Sequence, residues 1–487
     1  MSAAPAVPGP AGTPGDERLA AVRAAAPRLV RGLGLIGTVA LVVGNMVGTS
    51  VYTLPASLAK ATGPFGIVAW GFVALGYFFV ALVYARLGTR FPRTGGPYVY
   101  ARHAFGDLTG FITVWSYWVS AVVGNGAIVT GAVGYIVGFS PLLAANAGLR
   151  FALALGLVWG LCFLNIRGVR QSGRVQTVVM FLNLIPLVLV AIAALTHFDA
   201  ANLHPFAPNG FGSIAVGASL VVWAYSGIES ATVPAEEVQA PEQTIRRGTM
   251  IGYWVGTFVF LLTALAVAGS MPNDVIAGSA RPIALAAEQV LGPWAGTLVG
   301  LAAVAAALGT LNGWILMSGR IPLSAAEDGL FFRPLAAIHP RYGTPAVGLV
   351  VGAAVTSAML LLYFSRSLLG VFDFIVLLSV LTTLLPHLLA AAAEFALAGR
   401  DGTKPRIIAA IAFLFILYTM YGVGWTVIGW GALAVAAGLP LYWLLKKGSG
   451  IRGQGLRDGY GAAWSRPASD PCRPTRGATN RPPDPDP

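Results

Sequence analysis

Long hydrophobic runs, each close to 20 residues, recur along most of the chain. An α-helix needs about 20 apolar residues to cross the hydrocarbon core of a bilayer. Backbone polar groups cannot stay unpaired in lipid, and a helix pairs them internally. The runs therefore predict an all-α membrane protein with about twelve transmembrane helices, at 34–58, 66–88, 108–138, 150–168, 175–196, 213–235, 249–270, 290–318, 345–364, 369–395, 406–423 and 426–445.

The distribution of charge supports this class and predicts an orientation. Only 10% of the 487 residues are charged, against about 25% in soluble domains. The net charge of +12 could suggest a nucleic-acid partner, but the basic residues lie in alternate loops between the hydrophobic runs. Such loops face the cytoplasm. We expect a multi-pass protein of the cytoplasmic (inner) membrane, with both termini inside, the lipid bilayer as a partner and no nucleic acid.

The ends of the chain differ in composition from the hydrophobic body. Residues 1–30 are rich in Ala, Pro and Gly without a signal-peptide pattern, and residues 448–487 are rich in Arg, Pro, Gly and Asp. We expect a disordered cytoplasmic arm, a transmembrane domain over 31–447 and a disordered cytoplasmic tail. The two cysteines, Cys162 and Cys472, form no metal-type spacing. We expect no metal and no cofactor.

The first hydrophobic run is interrupted near its middle by Gly44, Asn45, Gly48, Thr49 and Ser50. Two glycines four residues apart could pack helices closely. Alternatively, the polar residues could mark an unwound segment, which is tolerated at membrane depth only beside protein or a water-filled cavity. The sequence of this run alone leaves both interpretations open.

A second interruption, at Ser226-Gly227, lies in the sixth run. The first and sixth runs open two halves of five runs each, and paired breaks of this kind indicate inverted repeats around a midplane site. The repeats would cover about 33–196 and 213–395, with two extra helices over 406–445. Freed amides attract a carboxylate and freed carbonyls attract an ammonium, so the breaks suit the main-chain end of an amino acid.

One acidic residue and one histidine lie deep inside predicted spans, away from the span ends. Glu229 sits deep in the sixth span, where a charge is costly and is by default a functional hypothesis. It is a candidate proton acceptor, and the alternative is a protonated structural carboxyl. His387 lies in the tenth span, either as a hydrogen-bonded structural histidine or as a residue lining the site.

Two sets of side chains could complete a site. In the third span, Tyr117 and Asn125 share one helical face with Ala121, Gly124 and Ile128. Such a stripe is usually packing, but a phenol and an amide at this depth favour a lined cavity. Trp223 and Trp314 lie beside glycine-containing bends and could face a cation; tryptophans in a protein of this class are otherwise core residues or interfacial anchors.

Five motifs together resemble the amino acid–polyamine–organocation transporters, and within them the basic amino acid/polyamine antiporters, which include arginine/agmatine and putrescine/ornithine exchangers. The motifs are Gly-Asn-x-x-Gly-Thr-Ser at 44–50, Pro-x-x-Gly-Gly-x-Tyr-x-Tyr-Ala at 92–101, Gly-Ile-Glu-Ser-Ala at 227–231, Glu-Glu-Val-x-x-Pro-Glu at 236–242 and Ala-x-Asp-Gly-Leu-Phe at 326–331.

The resemblance implies a LeuT-type fold with a five-plus-five inverted repeat, discontinuous helices one and six, and a possible homodimer, since the family includes dimers. It also implies roles for individual residues. The substrate carboxylate would bind Asn45, Gly48, Thr49 and Ser50, and the substrate ammonium would contact the carbonyls of Trp223 and Ser226. Asn125 would contact the substrate side chain, while Tyr117, Trp223 and Trp314 would stack on the substrate and gate the site. Tyr98 would act as a gate on the cytoplasmic side, and Glu229 would sense protons.

The sequence departs from the family pattern on the side-chain half of the site. Leu377 stands where arginine/agmatine exchangers carry a serine near the guanidinium, so the identity of the substrate stays open. The leading prediction is a secondary transporter, not an enzyme, that exchanges a cationic amino acid or polyamine by alternating access, with protons as a candidate partner. The alternatives are a proton-coupled permease or exporter for neutral amino acids, a non-transporting sensor and a membrane-embedded enzyme.

Overall fold

A computed structural model describes residues 29–279, 281–364, 368–400 and 402–448. The predicted arm, 1–30, and tail, 448–487, fall outside these residues except for 29, 30 and 448. The described residues contain no β-strand. Their α-helices, in chain order α1 to α18, are Leu35–Met46, Thr49–Thr62, Gly66–Arg90, Pro97–Phe105, Asp107–Val137, Pro141–Ala145, Ala147–Ile166, Val169–Leu195, Ile214–Tyr225, Pro241–Ser270, Asn273–Gly278, Pro282–Leu291, Pro293–Glu327, Ala346–Phe364, Leu368–Leu397, Thr403–Gly422, Trp425–Ala436 and Gly438–Gly448.

Short 3-10 helices connect several of these elements. They are Gly63–Phe65, Ala200–Leu203, Phe211–Ser213, Ile228–Ala231, Ala235–Glu237, Arg333–Ala336 and Ala398–Arg400.

Eleven of the twelve predicted spans coincide with α-helical structure over most of their length, and the sixth does so in its first half. Ten stretches of the described chain are long and apolar enough to cross a membrane. One of them, Leu35–Arg90, contains the first two predicted spans. The predicted ninth span falls on a shorter apolar helix, Ala346–Leu361. The chain is a multi-pass, all-helical membrane protein.

Three helices extend beyond the ranges predicted from hydropathy. α8 begins at Val169, α10 begins at Pro241 and α13 continues to Glu327. The added turns contain Arg, Gln, Glu and Ser, which lower the mean hydropathy but are compatible with a helix. Hydropathy therefore located the apolar part of each helix and missed the polar ends.

Arg320 is an exception to the prediction that the basic residues lie in loops. The sequence places it just after the eighth hydrophobic run, where the charge pattern predicts a cytoplasmic loop, but it lies within α13 and is fully buried. Its guanidinium pairs with both carboxylate oxygens of Glu237, which is also fully buried. A buried charge needs a partner of opposite sign, and this partner is 83 residues away in the sequence.

The helices with interrupted or polar middles lie at the centre of the fold. α1 packs against α8, α10 and α13, while α5 packs against α13 and α15. α2 contacts α9, and α1 contacts the 228–231 turn that follows α9. This arrangement brings the two breaks predicted from sequence to one place.

Candidate functional site

The first hydrophobic run is broken between α1, which ends at Met46, and α2, which begins at Thr49. Val47 (φ −87°, ψ 63°) and Gly48 (φ −107°, ψ −133°) both leave the helical conformation. The carbonyl of Val47 accepts a hydrogen bond from Asn183 Nδ2 (2.6 Å), and that of Gly44 accepts one from Thr310 Oγ1 (2.9 Å). The run is therefore discontinuous, as predicted, and neighbouring helices satisfy the freed carbonyls.

The sixth run breaks at Ser226 and Gly227. Gly227 adopts φ +116°, a left-handed conformation that favours glycine. The chain then forms only the 3-10 helix Ile228–Ala231, so the second half of the predicted span, to residue 235, is not α-helical. The backbone of Gly227 packs against Asn45, because a Cβ there would lie 2.7 Å from Asn45 Cβ. The two breaks are thus in direct contact.

A cavity of about 390 Å³, including its opening, lies at this junction. Its lining is uncharged and combines hydroxyl groups, one amide, glycines, one isoleucine and two indoles. The lining residues are Asn45, Gly48, Thr49, Ser50, Ser120, Gly124, Ile128, Trp223, Ser226, Thr310, Trp314, Ser379 and Thr383.

Seven of the predicted substrate-binding residues line this cavity together. They are Asn45, Gly48, Thr49, Ser50, Trp223, Ser226 and Trp314. The other three, Tyr117, Asn125 and Leu377, are not among the lining residues. Asn125 is buried and its Oδ1 has no hydrogen-bond partner among the described residues. Leu377 is partly buried and packs against the hydrophobic core.

Four hydroxyl residues of the lining were not predicted from the sequence: Thr310 on α13, and Ser120, Ser379 and Thr383 on α5 and α15. Ser120 on α5 hydrogen-bonds to the carbonyl (3.0 Å) and hydroxyl (3.3 Å) of Ser379 on α15, and also to the hydroxyl of Thr383. Ser379 and Thr383 are four residues apart and share a helix face. That spacing was the sequence signal for a shared polar face. It is a weak signal, because serine and threonine in apolar helices commonly hydrogen-bond to the backbone of their own helix.

Glu229 lies beside the cavity and is fully buried. Its Oε1 accepts a hydrogen bond from Tyr117 Oη (2.7 Å), and its Oε2 accepts one from the Gly227 amide (3.1 Å). The ring of Tyr117 meets that of Trp314 edge-on, with centroids 6.4 Å apart. Tyr117 therefore connects the carboxyl of Glu229 to an indole that lines the cavity.

Tyr98, the predicted cytoplasmic gate, lies in α4 away from the cavity lining. Its hydroxyl donates to Asp328 Oδ2 (2.8 Å) at the end of α13. Arg93 and Arg102 pair with the same aspartate. Burial, and then the charge of Asp328, raise the pKa of the Tyr98 phenol. The phenol stays protonated and joins α4 to α13.

Metal ligation finds no support in the described ranges: no three His, Cys, Asp or Glu side chains in 29–279, 281–364, 368–400 and 402–448 converge on one point.

Sequence comparisons relate the chain to known transport proteins. Residues 33–445 match the family described as amino acid permeases. The chain is 33% identical over 369 residues to a cadaverine/lysine antiporter of Escherichia coli, covering 73% of this chain and 81% of that protein. It is 29% identical to a putative arginine/ornithine antiporter of Bacillus subtilis (72% and 81% covered) and 28% identical to the putrescine transporter PotE of Haemophilus influenzae (84% and 96% covered).

Proposed function

We propose that this chain, which belongs to the amino acid permease family, is a secondary transporter that exchanges a cationic amino acid or polyamine across the membrane. The observation that carries the proposal is the contact between two broken helices at an uncharged cavity. The relatives support the substrate class, because their names include lysine, cadaverine, arginine, ornithine and putrescine.

The break between α1 and α2 is the proposed site for the substrate carboxylate. The first-turn amides of α2 have no partner inside their own helix, and a helix N-terminus favours an anion. Gly48, Thr49 and Ser50 line the cavity at this point. The carbonyls where α9 ends, at Trp223 and Ser226, would receive the ammonium group.

The distal end of the substrate would lie between Trp223, Trp314 and the hydroxyls of Ser120, Ser379 and Thr383. A cation over a desolvated indole gains about 2 kcal/mol. Hydroxyls accept hydrogen bonds from an ammonium without adding a fixed charge to the site. Tyr117, Trp223 and Trp314 would close over the bound substrate, and Tyr98 would open the cytoplasmic side.

Glu229 is the proposed proton-coupling residue. It is the carboxyl next to the cavity, and Tyr117 and Gly227 already supply two hydrogen bonds to it. A cationic substrate would favour its deprotonated form and an empty cavity its protonated form. We expect Glu229→Gln to stay folded and to abolish either transport or its pH dependence, measured as exchange at a series of pH values. Unchanged pH-dependent exchange in this variant would remove the proton role.

We also propose the LeuT-type arrangement, with repeats over about 33–196 and 213–395, two further helices over about 406–445 and both termini cytoplasmic. The two breaks and their contact support the repeat. In a chain whose natural cysteines are replaced by serine, a single cysteine is introduced either at position 2 or in the 199–210 loop, and its modification by an impermeant thiol reagent tests the orientation. Labelling from outside is expected only in the loop.

A neutral amino acid permease is the second candidate, because the cavity lining is uncharged and Leu377 replaces a polar group expected of arginine/agmatine exchangers. Uptake into proteoliposomes of labelled lysine, cadaverine, arginine, agmatine, ornithine, putrescine and leucine separates the two. Our proposal predicts uptake of at least one cation well above that of leucine. Uptake of leucine alone would establish the second candidate.

A further inference from the structure

His387 lies one helical turn beyond Thr383 of the cavity lining, on the same face of α15. It is fully buried, and it is the only one of the five histidines inside a stretch long enough to span the membrane. Its Nδ1 is 2.7 Å from Tyr84 Oη on α3. Its Nε2 is 3.7 Å from Glu229 Oε2 and makes no hydrogen bond within the described residues.

The groups around this ring can stabilise its doubly protonated form, the imidazolium. Imidazolium donates from both nitrogens. Here one nitrogen faces a phenol oxygen and the other a carboxylate oxygen, so an imidazolium would have an acceptor on each side. A buried polar atom without a partner is costly, and closing the 3.7 Å gap as a charged pair would remove that cost at Nε2.

The other titratable groups near the ring come from several helices. α3 contributes Tyr77, whose ring meets His387 edge-on, besides Tyr84. Tyr100 on α4 lies against Tyr84, and Tyr225 on α9 stacks on Tyr77. Tyr117 on α5 reaches the ring only through Glu229. Farther along α3 and α15, Arg86 and Glu394 pair with each other at 2.6 Å. Glu229 is thus the carboxylate that faces His387.

We propose that His387 is the proton partner of Glu229, so that the coupling proton is held by a carboxyl–imidazole pair rather than by one carboxyl. The proton moves from Glu229 Oε2 to His387 Nε2, leaving a carboxylate beside an imidazolium with no change in net charge. When a cationic substrate enters the cavity, the imidazolium gives this proton to water in the open cavity and becomes neutral, and the carboxylate of Glu229 remains to balance the charge of the substrate. This inference rests on the proton role of Glu229 proposed above.

The test is the pH profile of exchange in proteoliposomes, with the cation of the panel that the wild type exchanges fastest. Removing the imidazole removes one of two places for the proton and lowers the proton affinity of the pair. We expect His387→Gln to move the midpoint of the pH profile toward acid by about one pH unit, the shift for a ring that holds about nine-tenths of the shared proton. Because the two groups titrate together, the double variant with Glu229→Gln should match Glu229→Gln alone. Tyr253→Phe is the matched control, since it removes a buried phenol that donates to the Ala74 carbonyl (2.8 Å) and should leave the midpoint unchanged.

Two outcomes overturn the inference in different ways. If Glu229→Gln abolishes the pH dependence and His387→Gln leaves the midpoint in place, the role of His387 fails and the proposed function stands. If Glu229→Gln keeps the wild-type profile, the proton role of Glu229 fails and the inference fails with it.

A second measurement covers the case in which His387→Gln does not fold. In wild-type protein labelled with ¹⁵N-histidine, the signal of the membrane-embedded ring should change with pH around the midpoint of exchange. The same signal should lose that transition in Glu229→Gln. A ring signal that stays constant from pH 5 to 9 in the wild type would contradict the pairing.

Discussion

The two walls of the cavity present different chemical groups to a substrate. One wall consists of the broken helices α1–α2 and α9, where backbone groups and Asn45, Thr49 and Ser50 face the cavity. The other wall consists of α5 and α15, which are unbroken helices that present the hydroxyls of Ser120, Ser379 and Thr383, and α13 adds Thr310 and Trp314 to the lining. In the proposed binding mode, the first wall binds the group that all amino acids share, and the second contacts the part that distinguishes them.

This difference explains why an uncharged lining can serve a cationic substrate. Backbone dipoles bind charge without desolvating a fixed ion, and the one nearby carboxyl, Glu229, lies behind Tyr117 rather than in the lining. A variant in the backbone wall should therefore affect every substrate, whereas a variant in the hydroxyl wall should affect substrates unequally.

Gly48→Ala should have the largest effect, because a Cβ at this position would overlap the hydroxyl of Thr310 and displace the break. We expect exchange of every transported compound to fall by about 100-fold or more, the effect of about 3 kcal/mol. Initial rates with the full panel measure this. Gly134→Ala is the matched control on α5, since a Cβ there meets nothing within 4 Å. A loss of exchange for one substrate class only would show that Gly48 does not act as part of the backbone wall.

Trp314→Ala tests whether the indoles recognise a cation. A cation–π contact of about 2 kcal/mol corresponds to about 30-fold in affinity, so half-saturation for a transported cation should rise by about that factor. A small neutral amino acid that competes for the site should be affected far less. Trp425→Ala, in an exposed indole, is the control. Equal losses for both compounds would show that Trp314 only fills space.

Ser379→Ala should have the smallest effect of the three. One hydrogen bond contributes about 1 kcal/mol, so we expect about a 5-fold change in half-saturation for substrates whose distal amine reaches the hydroxyl wall. Thr419→Val provides a control, because that buried hydroxyl donates only to Ile416 of its own helix (2.9 Å). An identical change for all substrates would place Ser379 with the backbone wall.

The backbone wall could be predicted from sequence and the hydroxyl wall could not, for a physical reason. Glycine, asparagine and hydroxyl residues interrupt a hydrophobic run visibly, so both breaks were located to within a residue or two. Ser379 and Thr383 do not interrupt α15, and nothing in the local sequence shows that they meet Ser120, 259 residues away. The pairing of Arg320 with Glu237 was missed for the same reason, because only the tertiary fold brings them together.

Glu229 and His387 show a second limit of prediction from sequence: both residues were singled out, but their proximity was not. Each stood out as an ionisable residue deep in a span, but the 3.7 Å distance between His387 Nε2 and Glu229 Oε2 is set by the tertiary fold. Tyr117 was predicted to line the cavity and instead lies between Trp314 and Glu229. Sequence thus identified the unusual residues, and the fold determined which of them act together.

Counterflow tests the central claim, obligatory exchange at this cavity, most directly. Proteoliposomes are loaded with the unlabelled form of the cation transported fastest, and the labelled form is added outside at equal pH and zero membrane potential. We predict transient accumulation of label that requires internal substrate and disappears in Gly48→Ala. Uptake that ignores internal substrate and requires an inward proton gradient would contradict the account.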